Sequence, residues 1–194
     1  MARVAIDCDG VLADFVQGFI DIAKQVIPEV TITNEAWTDW FGGGQFSKTQ
    51  EKAVWKAIRK CENFWLYLQG LPGMSDLAQW LNTTVGHDVW VVTSRATVGG
   101  RLTNTKQTAL WLDSCGVHAQ HNYLGVITVP DSDDKVDIAS RLDIRWMIDD
   151  KVETIEAFDR FPYMRAALLD QPWNQHAQVK WRVKSVAEFL EAIK

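Results

Sequence analysis

Ala2-Arg3-Val4-Ala5-Ile6-Asp7-Cys8-Asp9-Gly10-Val11 opens the chain with a short, nearly unbroken apolar run that ends at two carboxylates. Such a run suits a strand covered on both faces, the habit of a parallel sheet. Alternation along an extended backbone aims Asp7 and Asp9 to one side and turns Cys8 to the other, into the sheet. Cys8 therefore reads as a spacer or core residue rather than a nucleophile. Gly10 admits a tight turn directly after the acids.

Working outward, residues 13–26 carry apolar side chains at helical spacing (Phe15, Phe19, Ile20, Ala23). The segment 28–71 then breaks the rhythm with a Gly-rich stretch at 42–44, a helix expected over 47–60, and the aromatic cluster Phe64-Trp65-Leu66-Tyr67. After Leu71-Pro72-Gly73 the alternation resumes. Strands are expected at 87–93, 123–129, 144–148 and 163–169, and helices at 75–81, 104–115, 135–142, 152–158 and 185–193. Strand–helix alternation of this kind gives an α/β parallel sheet flanked by helices. The expected organisation is a core of residues 1–27 and 72–194 with a small, mainly helical insertion at 28–71. In such sheets ligands bind beyond the carboxyl ends of the strands. Asp7/Asp9, Thr93/Ser94 and Asp149/Asp150 all fall there.

At 194 residues the chain can bury roughly 70% of its unfolded surface without staples. Three widely spaced cysteines suggest neither a disulfide framework nor a zinc site. No run approaches a membrane span and no signal-peptide pattern opens the chain, so the cytoplasm is the expected compartment. A net charge of −5 argues against an extended nucleic-acid binder, whose affinity comes from a basic face. A phosphate bound here must find its positive charge locally.

The paired acids supply the reason for a cation. Like charges about 4 Å apart at an effective dielectric near 20 repel by roughly 4 kcal/mol, and a phosphate dianion adds to this. A divalent ion removes the repulsion. Hard oxygen ligands beside a phosphate select Mg2+, with Asp7, Asp9, Asp149 and Asp150 as the candidate metal-binding residues. The alternative for any one acid is a solvated helix cap. Three strand ends carrying polar pairs make that reading poor for the set.

Asp7-Cys8-Asp9-Gly10-Val11-Leu12-Ala13-Asp14-Phe15 resembles the first motif of the haloacid-dehalogenase (HAD) phosphatases. Val91-Val92-Thr93-Ser94 resembles the second and Met147-Ile148-Asp149-Asp150-Lys151 the fourth. Lys135 is the choice for the third-motif lysine, with Lys106 as a rival. The resemblance implies a HAD-like Rossmannoid core in which the insertion is a cap. It implies Asp7 as nucleophile, Asp9 as acid and base, and Thr93, Ser94 and Lys135 on the phosphoryl oxygens. Asp150 is preferred over Asp149 as the direct metal ligand.

A narrower resemblance, to the 5′(3′)-deoxyribonucleotidases, rests on the DGVLADF form of the first motif, on Asn63-Phe64-Trp65 and on Pro172-Trp173-Asn174. It implies a nucleoside monophosphate as substrate, with Phe15, Phe64 and Trp65 around the base. Arg95 stands where that family usually has proline, and is placed with Ser94 among the substrate-binding residues. The expected partner is a small phosphate ester, with no extended nucleic acid and no membrane, and a homodimer is the candidate assembly. Other small metabolites such as sugar phosphates remain the alternative substrates, with nucleic-acid ends or simple nucleotide binding behind them. Of the ten tryptophans, Trp80, Trp90, Trp111 and Trp146 are read as packing, and Trp37, Trp40 and Trp55 as the insertion's own core. His118 and His121 are read as surface residues.

Overall fold

The computed structural model describes residues 2–29, 31, 37, 45–118 and 123–194. The expectations for residues 42–44, Trp40 and His121 lie outside these. The elements are β1 (Ala2–Ile6), α1 (Phe15–Val26), α2 (Lys48–Lys60), α3 (Pro72–Thr83), β2 (His87–Ser94), α4 (Asn104–Ser114), β3 (Tyr123–Val129), α5 (Asp134–Arg141), β4 (Trp146–Asp149), α6 (Val152–Phe158), β5 (Arg165–Leu169), β6 (Arg182–Val183) and α7 (Val186–Ala192). Short 3-10 turns cover Phe64–Leu66 and Pro172–Asn174.

The strands form one six-stranded sheet in the order β3-β2-β1-β4-β5-β6, parallel throughout. The chain builds outward from β1 to β3, then returns to lay β4 on the other side of β1. That reversal opens a crevice at the carboxyl ends of β1 and β4, where parallel sheets bind ligands. Asp7 and Asp149 stand on its two sides. Asp7 is tied across it by its backbone N–H, which donates to the Ile148 carbonyl at 3.0 Å.

Alternation within the strands splits the core between the two faces. Val4, Ile6, Val89, Val91 and Ile148 pack with α1, α3, α4 and α7, while Ala5, Val92, Met147 and Leu168 pack with α5 and α6. The strands are buried on both sides, as their near-continuous apolar sequences require.

Local chemistry fixes the helix starts. Asp14 caps α1 by accepting from Gln17 N–H at 2.9 Å. Ser47 caps α2 in a reciprocal box with Gln50. Helix α3 begins at Pro72, earlier than its apolar spacing indicates, because proline's fixed φ and missing N–H suit a first helical position. The two-residue β6 has no sequence periodicity to announce it.

The segment after α1 returns to the core beside the loop it left. Asp14 N–H donates to the Gln69 carbonyl and Leu71 N–H to the Leu12 carbonyl, both at 2.8 Å. Helix α2 packs on α1 through Val54 and Ile58.

Candidate active site

The loop after β1 is wound tightly around one carbonyl. Cys8 C=O accepts from Leu12 N–H and Ala13 N–H, both at 2.8 Å, so the chain turns at once and leaves Asp7 and Asp9 at the crevice. Gly10 sits in the left-handed region at φ +81°, and a Cβ there would collide with the Asp150 carboxylate. Gln171 Nε2 donates to the Gly10 carbonyl at 2.7 Å and holds the turn from the far side.

Lys135, the second residue of α5, is buried between two acids. Its Nζ lies 2.9 Å from Asp7 Oδ1 as an ion pair and donates to Asp149 Oδ2 at 2.7 Å. Burial opposes the ammonium, but Asp149 and Asp7 outweigh it and its pKa rises, so Lys135 is a fixed positive charge. Lys106 lies exposed in the first turn of α4, so Lys135 is the lysine that reaches the acids.

Asp149 is already engaged on both oxygens, since Oδ1 also accepts from Lys151 N–H at 2.8 Å. Asp150 accepts from Trp173 Nε1 on Oδ2 at 3.1 Å, while its buried Oδ1 has no hydrogen-bond partner. Asn174 Nδ2 supports the same residue through its backbone carbonyl at 2.9 Å. Asp7 Oδ1, despite its ionic contact with Lys135, likewise lacks a well-directed hydrogen bond. Oxygens of Asp7, Asp149 and Asp150 lie within 4.8 Å of one another. Burial, with Asp149 adding and Lys135 opposing, pushes the Asp7 carboxyl up to about 7. Burial and the neighbouring Asp149 and Asp7 likewise raise Asp150 well above the carboxylate range. Two orphaned buried oxygens and a surplus of negative charge fit a hard divalent cation, and Asp150 offers its free oxygen more readily than Asp149.

Asp9 is held by a different group. Arg95 Nε and Nη2 donate to its two oxygens at 2.9 and 2.7 Å in a forked pair. Arg95 Nη1 donates to Thr108 Oγ1 at 2.7 Å, Nη2 also reaches Cys8 Sγ at 3.1 Å, and the guanidinium lies 4.7 Å over the Trp65 ring. Burial opposes the Arg95 charge, Asp9 outweighs it, and its pKa rises. Burial pushes the Cys8 thiol up, with Arg95 only partly opposing, so Cys8 stays a thiol inside the sheet. Thr93 Oγ1 donates to Asp9 Oδ2 at 3.4 Å.

Asp7, Asp9, Lys135 and Asp150 line the floor of a cavity of about 740 Å³, within the range of small-molecule sites, with Asp149 buried behind them. Thr93, Ser94, Arg95, Phe15 and Trp65 line it as well. Phe64, expected beside them, is packed beneath Phe15 at 6.4 Å and is absent from the lining. Trp55, expected in the insertion's core, is partly buried against the core and lines the cavity as well. Phe15 lies nearly parallel to both Trp55 (5.7 Å, 24°) and Trp65 (6.0 Å, 26°), so three aromatic planes share one wall. The roof is the outer face of α2, with Lys52, Lys56 and Arg59 at i, i+4 and i+7 alongside Glu51. Among the described residues none of these three cations has an ion pair.

Comparison with known proteins matches the model of one family, "5' nucleotidase, deoxy (Pyrimidine), cytosolic type C protein", over residues 1–194. The chain belongs to this 5′-nucleotidase family. It is accordingly a phosphoric monoester hydrolase. A search of curated proteins finds no match. Among solved structures, a HAD-superfamily hydrolase of subfamily IA, variant 1, from Geobacter sulfurreducens superposes with a TM-score of 0.61 at 13% identity, covering 99% of each chain. The putative HAD-hydrolase YfnB from Bacillus subtilis, bound to magnesium, gives 0.62 at 12% identity over 100% of this chain and 98% of that one. CbbY from Rhodobacter sphaeroides, in complex with phosphate, gives 0.57 at 14% identity over 97% and 96%. At such identities the likeness is one of fold: the 5′-nucleotidase has the HAD-like parallel sheet flanked by helices. No helix among the described residues is long and apolar enough to cross a membrane.

Proposed function

We propose that this 5′-nucleotidase hydrolyses deoxynucleoside monophosphates to nucleoside and phosphate, with Asp7 as the nucleophile and Mg2+ as cofactor. The observation that carries the reading is the meeting of Asp7, Lys135 and Asp150, with Asp149 buried behind them, on the floor of a cavity walled by Phe15, Trp55 and Trp65. The floor suits a phosphoryl group and the wall a flat base. Stacking on an aromatic ring contributes about 1–3 kcal/mol per base, enough to separate a nucleotide from a sugar phosphate.

Asp7 attacks phosphorus and becomes an aspartyl-phosphate, which divides hydrolysis into two easier displacements. Lys135 stands 2.9 Å from Asp7 Oδ1, placed to pair with a phosphoryl oxygen as the bond forms. Thr93 and Ser94, at the end of β2, hold further phosphoryl oxygens. Asp9 protonates the leaving oxygen and then takes a proton from the incoming water. Bound magnesium, held by Asp7, Asp150 and the Asp9 carbonyl with Asp149 in support, would neutralise charge on the phosphoryl oxygens. The segment 28–71 acts as a cap that brings Trp55 and Trp65 over the floor and excludes water.

A panel of phosphate esters with detection of free phosphate tests the substrate. Among esters that carry a single phosphate, deoxynucleoside monophosphates are expected to have the highest kcat/KM. Equal or better turnover of sugar phosphates would defeat the nucleotide reading while leaving the phosphatase chemistry intact.

A further inference from the structure

The cap helix carries more positive charge than a single phosphate on the floor requires. Lys52, Lys56 and Arg59 project from one face of α2 into the cavity, and seven residues of helix spread them over about 10 Å. Lysines on a helix usually belong to a solvated face with carboxylates three or four residues away. Here the face is the roof of the cavity, and Glu51 is the one acid of α2 that shares it.

Beyond Arg59 the cavity continues into a second groove of about 550 Å³. The two share Arg59, Arg95, Ala96 and Pro130. Thr97, Asn104 and Thr128 complete the polar lining of the groove, and among the described residues no carboxylate belongs to it. Asp7, Asp9 and Asp150 line the floor of the first cavity and Glu51 its roof beside Lys52, so among the described residues the potential rises toward the groove beyond Arg59. Arg95 cannot serve a ligand freely, because four of its five N–H donors go to Asp9, Thr108 and Cys8 and its charge is paired with Asp9. Arg59 is shared by the two spaces and, among the described residues, has no ion pair.

The backbone that carries Arg59 is held in place. The chain just after α2 docks on the loop following β2, where Asn63 N–H donates to the Gly99 carbonyl at 3.2 Å. A Cβ on Gly99 would press on the Lys60 carbonyl at 3.1 Å, so the end of α2 rests directly on that loop. The cap and the groove therefore meet at a fixed point.

We infer that Lys56, Arg59 and the groove beside them form a second phosphate subsite, and that the preferred substrate is a nucleoside bisphosphate. This rests on the nucleotide reading of the same cavity. One phosphate is hydrolysed on the floor, water supplying the oxygen to phosphorus and the proton to the leaving alcohol. The other phosphate is a handle across the sugar from it, and the products are inorganic phosphate and a nucleoside monophosphate. A cation that merely steered any phosphate toward the floor would treat one-phosphate and two-phosphate substrates alike, which separates the two roles.

The test compares a deoxynucleoside 5′-monophosphate with the matching 3′,5′-bisphosphate, in the wild type and in the Lys56→Gln/Arg59→Gln variant. Both positions are exposed, so folding is not at stake. A charge-assisted hydrogen bond corresponds to about tenfold or more in affinity, so the bisphosphate should show a KM at least about tenfold lower. In the variant the bisphosphate should lose about tenfold more kcat/KM than the monophosphate. Equal KM values in the wild type, or equal losses in the variant, would overturn the inference. A 5′-phosphorylated trinucleotide turned over better than the bisphosphate would overturn it in favour of nucleic-acid ends. If neither mononucleotide is hydrolysed, the proposed function fails by itself. Calorimetric binding of the same two compounds to the Asp7→Asn variant then decides the subsite, equal affinities counting against it.

Discussion

Replacing Arg95 by methionine should cost this protein about 3 kcal/mol of stability. The guanidinium donates to Asp9 at 2.9 and 2.7 Å and to Thr108 at 2.7 Å. The Arg95 side chain is fully buried and the Asp9 side chain 9% accessible, so water cannot take over the lost bonds. Removing one member of a buried pair costs about 3–5 kcal/mol, because the remaining charge is left uncompensated. The lower end applies here, since Asp9 faces the cavity. For a chain of this size that corresponds to a fall in Tm of about 6–12 °C. Urea unfolding should show a lower midpoint with an unchanged slope. Most of the cost arises from the stranded carboxylate, so Asp9→Asn in the same background should recover much of it, giving a coupling of about 2–3 kcal/mol in the double-mutant cycle. Arg95→Lys, which keeps the charge and loses the fork, should fall between. A loss below about 1 kcal/mol for Arg95→Met, or additivity within about 0.5 kcal/mol, would refute the clamp.

Trp173→Phe removes the indole N–H from Asp150 Oδ2, and magnesium affinity by calorimetry should fall by about 10–100-fold with the fold intact. Gly10→Ala places a Cβ against the Asp150 carboxylate at a φ that favours glycine, and should cost about 2 kcal/mol or more by chemical unfolding. In the metal-free protein Asp7 keeps its proton up to about pH 7, whereas the unfolded chain releases it near 3.8, the ordinary value of the carboxyl. Between those values the folded state binds more protons, so metal-free stability should fall as pH rises through the window. Magnesium must displace that proton, so its stabilising shift in Tm should be larger at pH 7.5 than at pH 5.5. A shift independent of pH would contradict the assignment of Asp7 to the metal.

Much of the fold is legible in the sequence because burial on both faces leaves unbroken apolar runs. Val4-Ala5-Ile6 and Val89 to Val92 could belong only to interior strands. Once those strands are parallel, Asp7 and Asp149 must meet at their carboxyl ends, although 142 positions separate them in the chain. Lys135 comes from the resemblance to the third HAD motif, with Lys106 as a rival, and it is Lys135 whose Nζ reaches Asp7 and Asp149. The rest depends on side-chain direction over long separations. Nothing local in Thr93-Ser94-Arg95 reveals that the arginine turns back to grip Asp9 rather than forward to a ligand. Trp173 lies 23 residues from the carboxylate it supports, and only the turn at Pro172–Asn174 brings it there. The exchange of Phe64 for Trp55 was within reach. With Val54 and Ile58 facing the core, the helical period puts Trp55 on the same side as Lys52, Lys56 and Arg59.

The central claim is that Asp7 carries the chemistry on a nucleotide substrate. Its most direct test is phosphate release from a deoxynucleoside monophosphate with magnesium present, by the wild type and by Asp7→Asn, with thermal unfolding to confirm that the variant is folded. Loss of the nucleophile should reduce kcat by more than about a thousandfold. Turnover by a folded Asp7→Asn variant within about tenfold of the wild type would contradict the account.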